Sequence, residues 1–222
     1  MTPPRTARRG APATGAARRA AVAAAAVALL GGCVSVSVGN SEAPAVTYYV
    51  LADARPAPAR TESAGSQARL AIAATAGDPV ADSLALVYSR RPGERNFYQF
   101  AAWTERPSRR LAQLAEERLQ ARGSLALVTQ LGQPLATDWL LTLSLDAMVH
   151  DVSSTPGRAE IALRAELIRR ADRTRVARRA FAAAAPVSPA AAAPAVAAFA
   201  TAAAELLDEL APWVEAEIRR NR

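Results

Sequence analysis

The chain contains no lysine: all 27 of its basic residues are arginine. That absence removes P-loop nucleotide binding, Schiff-base chemistry and Ser-Lys dyads, which each need an ε-amine. One histidine, His150, and one cysteine, Cys33, leave too few ligands for a zinc cluster and no partner for a disulfide within the chain. A Ser-His-Asp triad would have to be built on His150, and no Gly-x-Ser-x-Gly elbow accompanies it. Aromatic residues are only 5% of the chain, and 57 of its 222 residues are alanine, so the 51% hydrophobic content overstates how much bulky apolar surface can be buried.

The charge is unevenly distributed. The formal net charge is +7, yet Arg5, Arg8, Arg9, Arg18 and Arg19 all fall within the first 32 residues, which hold no acid. Without that segment, 22 arginines face 20 acids and the remainder is nearly neutral at +2. A basic stretch at 1–19, an apolar run at 20–30 and the ending Leu30-Gly31-Gly32-Cys33 give the three-part layout of an export signal. The apolar run has 11 residues, whereas a helix needs about 20 to span a bilayer. A leucine three positions before a cysteine, with two small residues between, resembles the bacterial lipobox. That resemblance implies acylation of the Cys33 thiol and cleavage before it. Two or three acyl chains hold a protein on a membrane far longer than one, at about 0.8 kcal/mol per buried CH₂. Val34, rather than Asp, follows the cysteine. By similarity to enterobacterial lipoproteins this implies the periplasmic face of the outer membrane over inner-membrane retention.

Residues 1–32 therefore read as a signal peptide, 33–46 as the lipidated cysteine and a Ser/Val/Gly/Pro-containing tether, and 47–222 as one domain. Within it, 47–51 is a strand candidate and 54–67 an Ala/Pro/Arg/Ser-rich loop. Residues 70–74, 84–88 and 96–100 read as three short strands joined by turns. From 107 to 122 the period becomes 3.6, with Leu111, Leu114, Ala115 and Leu119 on one face and Gly123 as the stop. After a short apolar run at 125–128, a long strand starts near Trp139. Leu141, Leu143, Leu145, Ala147 and Val149 alternate there with Thr142, Ser144, Asp146, Met148 and His150. A turn at 153–157 leads to a partner with Ala159, Ile161, Leu163, Ala165 and Leu167 inward, and a third strand covers 175–181. Ser188-Pro189 resembles a helix start, and Val196, Phe199, Ala203, Leu206, Leu207, Leu210 and Val214 form one stripe, with Glu205, Asp208, Glu209 and Glu215 away from it. Pro194 and Pro212 are expected to bend or end that helix. The expected class is α/β of the α+β kind: a mixed, largely antiparallel sheet with two amphipathic helices packed on it.

No residue set carries a catalytic, cofactor or metal role, and the chain reads as a non-enzyme. His150 lies on the polar side of its alternation, which suggests a solvated or cross-strand-paired ring. The arginines at 169, 170, 173, 175, 178 and 179 read as a solvated strand face near Glu160, Glu166 and Asp172. An exported protein meets no nucleic acid. Tyr98, Phe100 and Trp103 are the densest aromatic group and the candidate partner-contact surface, with Trp103 expected to serve binding more than folding.

The order of these features resembles a known family. Tyr48-Tyr49-Val50-Leu51 follows the lipobox and tether; Phe97-Tyr98-Gln99-Phe100 and Trp103 precede the first helix. Met148-Val149-His150-Asp151 precedes the turn, and Pro212-Trp213-Val214 lies in the Ala-rich C-terminal helix. The chain looks like the ABC-type transport auxiliary lipoproteins. The resemblance implies a mixed sheet with packed helices and a lipid-anchored periplasmic subunit, with a homo-oligomer among its possible states. Its partners would be an MCE-domain protein and an ABC permease and ATPase moving lipids or other hydrophobic solutes between the two membranes. The alternative is a periplasmic lipid-binding carrier whose own apolar cavity takes the substrate.

Overall fold

A computed structural model describes residues 44–56 and 67–222. The signal segment, Leu30, Gly31, Gly32, Cys33 and most of the tether lie outside the described residues. In chain order the elements are β1 (Thr47–Tyr49), β2 (Arg69–Ala76), β3 (Ala85–Ser89), β4 (Asn96–Trp103), α1 (Pro107–Arg122), β5 (Leu127–Gln130), β6 (Trp139–Asp151), β7 (Gly157–Arg169), β8 (Thr174–Val187) and α2 (Ala192–Arg220). The sheet is mixed, and the domain is a single α+β unit. Its longest ladders, β6 with β7 and β7 with β8, are antiparallel. β1 pairs β4, β2 pairs β5 and β6, and β3 pairs β6, all in parallel.

Two helices cover one face. In α2 an almost continuous alanine and leucine stripe buries Phe199, Leu206, Leu207, Leu210, Val214 and Ile218, joining the inward residues of β6 and β7 in one core. Each such large side chain contributes about 1.5–3 kcal/mol by leaving water. The helix α1 begins and ends as its sequence dictates. Pro107 stands at the first helical position, and Gly123 closes the helix at φ 64°, a left-handed conformation that suits glycine. Its cap comes from elsewhere in the chain: the buried Asp82 carboxylate accepts the Ser108 N–H at 2.8 Å.

Several expectations are corrected. The strand at 69–76 does not join the two after it as neighbours; it crosses to lie between β5 and β6, leaving β3 and β4 as the hairpin. Ser188-Pro189 does not start the last helix. The β7–β8 ladder runs on to the pair Gly157 and Val187, so the chain spends 188–191 leaving the sheet, and Ala191 is the N-cap without a side-chain cap. Pro194 sits in the first turn, and Pro212 lies inside a helix that continues to Arg220. Glu215 is buried, 6% exposed, because Arg122 grips it with two bonds of 2.6 and 2.8 Å and Ser124 adds a third at 2.7 Å. Burial pushes the Glu215 carboxyl up, but these partners outweigh it and hold it below the ordinary range. On the apolar stripe of α1, Arg118 is equally buried and bonds Asp53, Asp208 and the Arg55 carbonyl, joining the segment after β1 to both helices.

Candidate functional site

The chain enters the described domain at Pro44 and goes directly into β1, the edge of the sheet. There Tyr49 packs against the core, while its neighbours Val46, Tyr48 and Val50 are 43, 65 and 55% exposed. β1 lies parallel to β4 with Tyr48 opposite Ala102, so β1 begins on the side of the turn at 90–95 that precedes β4. That turn carries Arg90, Arg91 and Arg95, all exposed, against one acid, Glu94. Arg90 covers the Tyr88 ring at 5.0 Å, and Arg91 pairs with Glu94 at 3.4 Å.

The three aromatics expected to form one contact surface are separated. Trp103 is 3% exposed, its ring edge-to-face with Phe199 at 5.8 Å, and it belongs to the core. Tyr98 is half-buried and directed at His150. Phe100 alone of the three is exposed, at 41%, and its companion is Phe97 at 52%. An irregularity in the β3–β4 register divides the alternation of β4, so that Tyr98, Ala101 and Trp103 all pack inward while Phe97 and Phe100 point out. The exposed set is thus Val46, Tyr48, Val50, Phe97 and Phe100. The alternation of Val46, Tyr48 and Val50 about Thr47 and Tyr49 is the sequence signal that points to it.

His150 is corrected too: it is fully buried. The β6–β7 register slips between Leu145 and Ala147, leaving Asp146 as an extra residue, and from there inward and outward positions exchange. Met148 and His150 therefore face the core. The slip is held by the segment after β2, where the N–H groups of Gly77 and Asp78 both donate to the Leu145 carbonyl at 2.8 and 2.9 Å. The Asp146 carboxylate is in turn gripped by Arg164 at 2.7 and 2.6 Å on the open face of the sheet. His150 Nδ1 is bonded to Tyr98, and Nε2 has no partner. A β-carbon on Gly157 would sit 2.8 Å from that Nε2.

At the other end of β6 an open cleft of about 800 Å³ is lined by Trp139, Leu135, Arg169, Arg170, Asn221 and neighbouring residues. Arg169 stacks over Trp139 at 5.8 Å and bonds Asp172 and the Asn221 carbonyl. On its rim Arg69 holds the Asp138 carboxyl below its ordinary range through side-chain hydrogen bonds. Four of the remaining arginines of the cluster meet neighbours: Arg175 and Arg178 pair with Glu166, Arg179 with Glu209, and Arg170 bonds Thr137. Only Arg175 and Arg178 share the solvated face with Glu166; Arg179 turns to the helix side, and Arg169 and Arg170 line the cleft. Among the described residues there is no group of three or more metal-ligating side chains, and no helix is long and apolar enough to cross a membrane.

The described residues thus form one α+β domain whose first strand lies at a sheet edge. Residues 49–211 match the family described as ABC-type transport auxiliary lipoprotein component, and the chain belongs to that family. Protein XCC0632 from Xanthomonas campestris is similar at 24% identity over 79% of this chain and 98% of its own, with a TM-score of 0.70. An uncharacterized protein follows at 15% identity and a TM-score of 0.59, over 77% of this chain and 99% of its own. A PelC dodecamer from Paraburkholderia phytofirmans is more distant, at 15% identity and a TM-score of 0.38 over 68% of this chain and 94% of that one. No curated protein matches. Family membership makes the chain an auxiliary lipoprotein associated with ABC transport and with a membrane on its periplasmic side.

Proposed function

We propose that the protein is a docking subunit, fixed by lipidated Cys33 to the periplasmic face of the outer membrane. It receives the outer-membrane end of an ABC transporter whose MCE-domain protein carries lipids or other hydrophobic solutes between the membranes. The observation that carries this reading is the joining of Leu30-Gly31-Gly32-Cys33 to a domain of the ABC-type auxiliary family. The ATPase of the assembly supplies the energy, and this chain supplies position. Its only histidine is sealed in the core, in keeping with a role that is not catalytic.

The carrier alternative is less well supported. The apolar faces that would have to line a lipid cavity, those of β6, β7 and α2, pack together in one core through Leu143, Leu163, Phe199 and Leu206. The deciding experiment is site-specific crosslinking in whole cells, with Cys33→Ser beside the wild type. The expected result is a crosslink to an MCE-domain protein, fatty-acid label on the wild type and release of the variant from outer-membrane fractions. An unlabelled wild type would refute the anchor. Co-purified lipid without any crosslink would establish the carrier instead.

A further inference from the structure

Exposed apolar side chains are unevenly distributed over this domain. Among the described residues eight large ones are exposed, and five of these, Val46, Tyr48, Val50, Phe97 and Phe100, belong to β1, its flanks and β4. The open face of the sheet beyond them carries, among the described residues, no bulky apolar side chain of this exposure: one shallow hollow is lined by Thr75, Thr142, Ser144, Arg164 and Glu166, and another by Arg158, Glu160 and the small residues Ala147, Ala162, Ala182 and Ala184. A cluster of bulky exposed apolar side chains of this kind marks a contact.

Three observations identify the occupant. Pro44 is eleven residues after Cys33, a length of chain that reaches at most about 40 Å when fully extended. The corner where that chain joins the domain is therefore the part kept at highest local concentration beside whatever surface holds Cys33. The side chains there are two phenylalanines and a tyrosine beside a turn with three arginines and one acid, the pairing of aromatic body and cationic rim that suits a bilayer interface. Finally, β1 has only three paired residues, too short an edge to template strand addition by a second copy.

We infer that the corner built from β1 and the 90–95 turn rests on the lipid surface, with Tyr48, Phe97 and Phe100 at the headgroup boundary and Arg90, Arg91 and Arg95 facing anionic headgroups. This deepens the docking reading and rests on the lipidation of Cys33. It fixes the orientation of the domain: β6 runs from this corner to the cleft, so the cleft is held away from the anchoring membrane, facing the partner.

The test uses the full-length lipidated protein in vesicles of phosphatidylethanolamine and phosphatidylglycerol at about three to one, the latter supplying the negative surface charge. Acylation blocks Cys33, so Tyr48→Cys, Phe97→Cys and, as a reference near the cleft, Leu135→Cys each offer a single thiol for a bimane label. The expected result is that iodide quenching at positions 48 and 97 falls about fivefold on transfer from detergent to vesicles while that at 135 is unchanged, since groups at the interface are shielded from aqueous quencher. Protein that floats with the vesicles but shows equal quenching at all three positions overturns the surface contact and leaves the anchor intact. Protein that fails to float overturns both. Protection at 48 and 97 that grows with protein density at constant lipid assigns the corner to a second copy and also overturns the inference.

Discussion

The Tyr98 hydroxyl lies 2.8 Å from Nδ1 of His150, and the two rings are within 12° of parallel. Together with Tyr88, whose ring is 4.9 Å from that of Tyr98, they join the β3–β4 hairpin to the end of β6. Burial holds the imidazole below its ordinary pKa of 6.5, a shift that the Asp151 carboxylate opposes.

The sign of the resulting pH dependence follows. The folded chain keeps His150 neutral where the unfolded chain takes up a proton, so the unfolded state binds more protons below pH 6.5. Stability is full above that pH and declines on acidification, by at most about 1.4 kcal/mol per pH unit for one proton. His150→Asn, which keeps an acceptor near the position of Nδ1, should flatten the melting-temperature profile between about pH 7 and 5, above the range in which ordinary carboxylates titrate. An identical slope in both proteins would contradict the assignment.

Trp103→Ala should lower stability by about 3–5 kcal/mol, the range for emptying a large aromatic site in a close-packed core. Urea titration measures it. A loss below about 1 kcal/mol would return Trp103 to the surface role that its neighbourhood in the sequence suggests.

Gly77→Ala tests the bulge in β6. The added carbon would lie 2.7 Å from both the Leu145 carbonyl and the Ser144 hydroxyl, so the backbone must move. The expected cost is about 2–3 kcal/mol, in the range for forced overpacking. Amide exchange should rise from Leu145 through His150 before it rises in α2, and uniform acceleration would argue against a local lock.

What could be read in the sequence was what local periodicity governs. The helix at 107–122 agrees with its structure to the residue, and the inward set of β7 is buried throughout, because each pattern is complete within one element. His150 was misplaced because one extra residue at 146 inverts the alternation, and the cause lies near residue 77, in another strand connection. Glu215 follows the inward-facing Val214 and reads as polar, and only the arrival of Arg122 and Ser124 from α1 makes its burial tolerable. The parallel pairings of β2 leave no trace in its own residues, since its neighbours come from strands more than fifty positions away. The exposure of the aromatics was legible in part: Phe100 is exposed, whereas Tyr98 and Trp103 turn inward at the irregularity of β4.

β6 is thirteen residues long and, paired with β7 on both sides of the extra residue Asp146, joins the corner at the 90–95 turn to the cleft. At about 3.3 Å per residue it is a stiff arm of about 40 Å. A rocking motion of about 10° at the end beside the 90–95 turn would then carry the far end through about 7 Å, an amplitude set by this strand length. The domain in this sense is a lever, and the length of one strand determines how far a small tilt at its base displaces whatever is held at its tip.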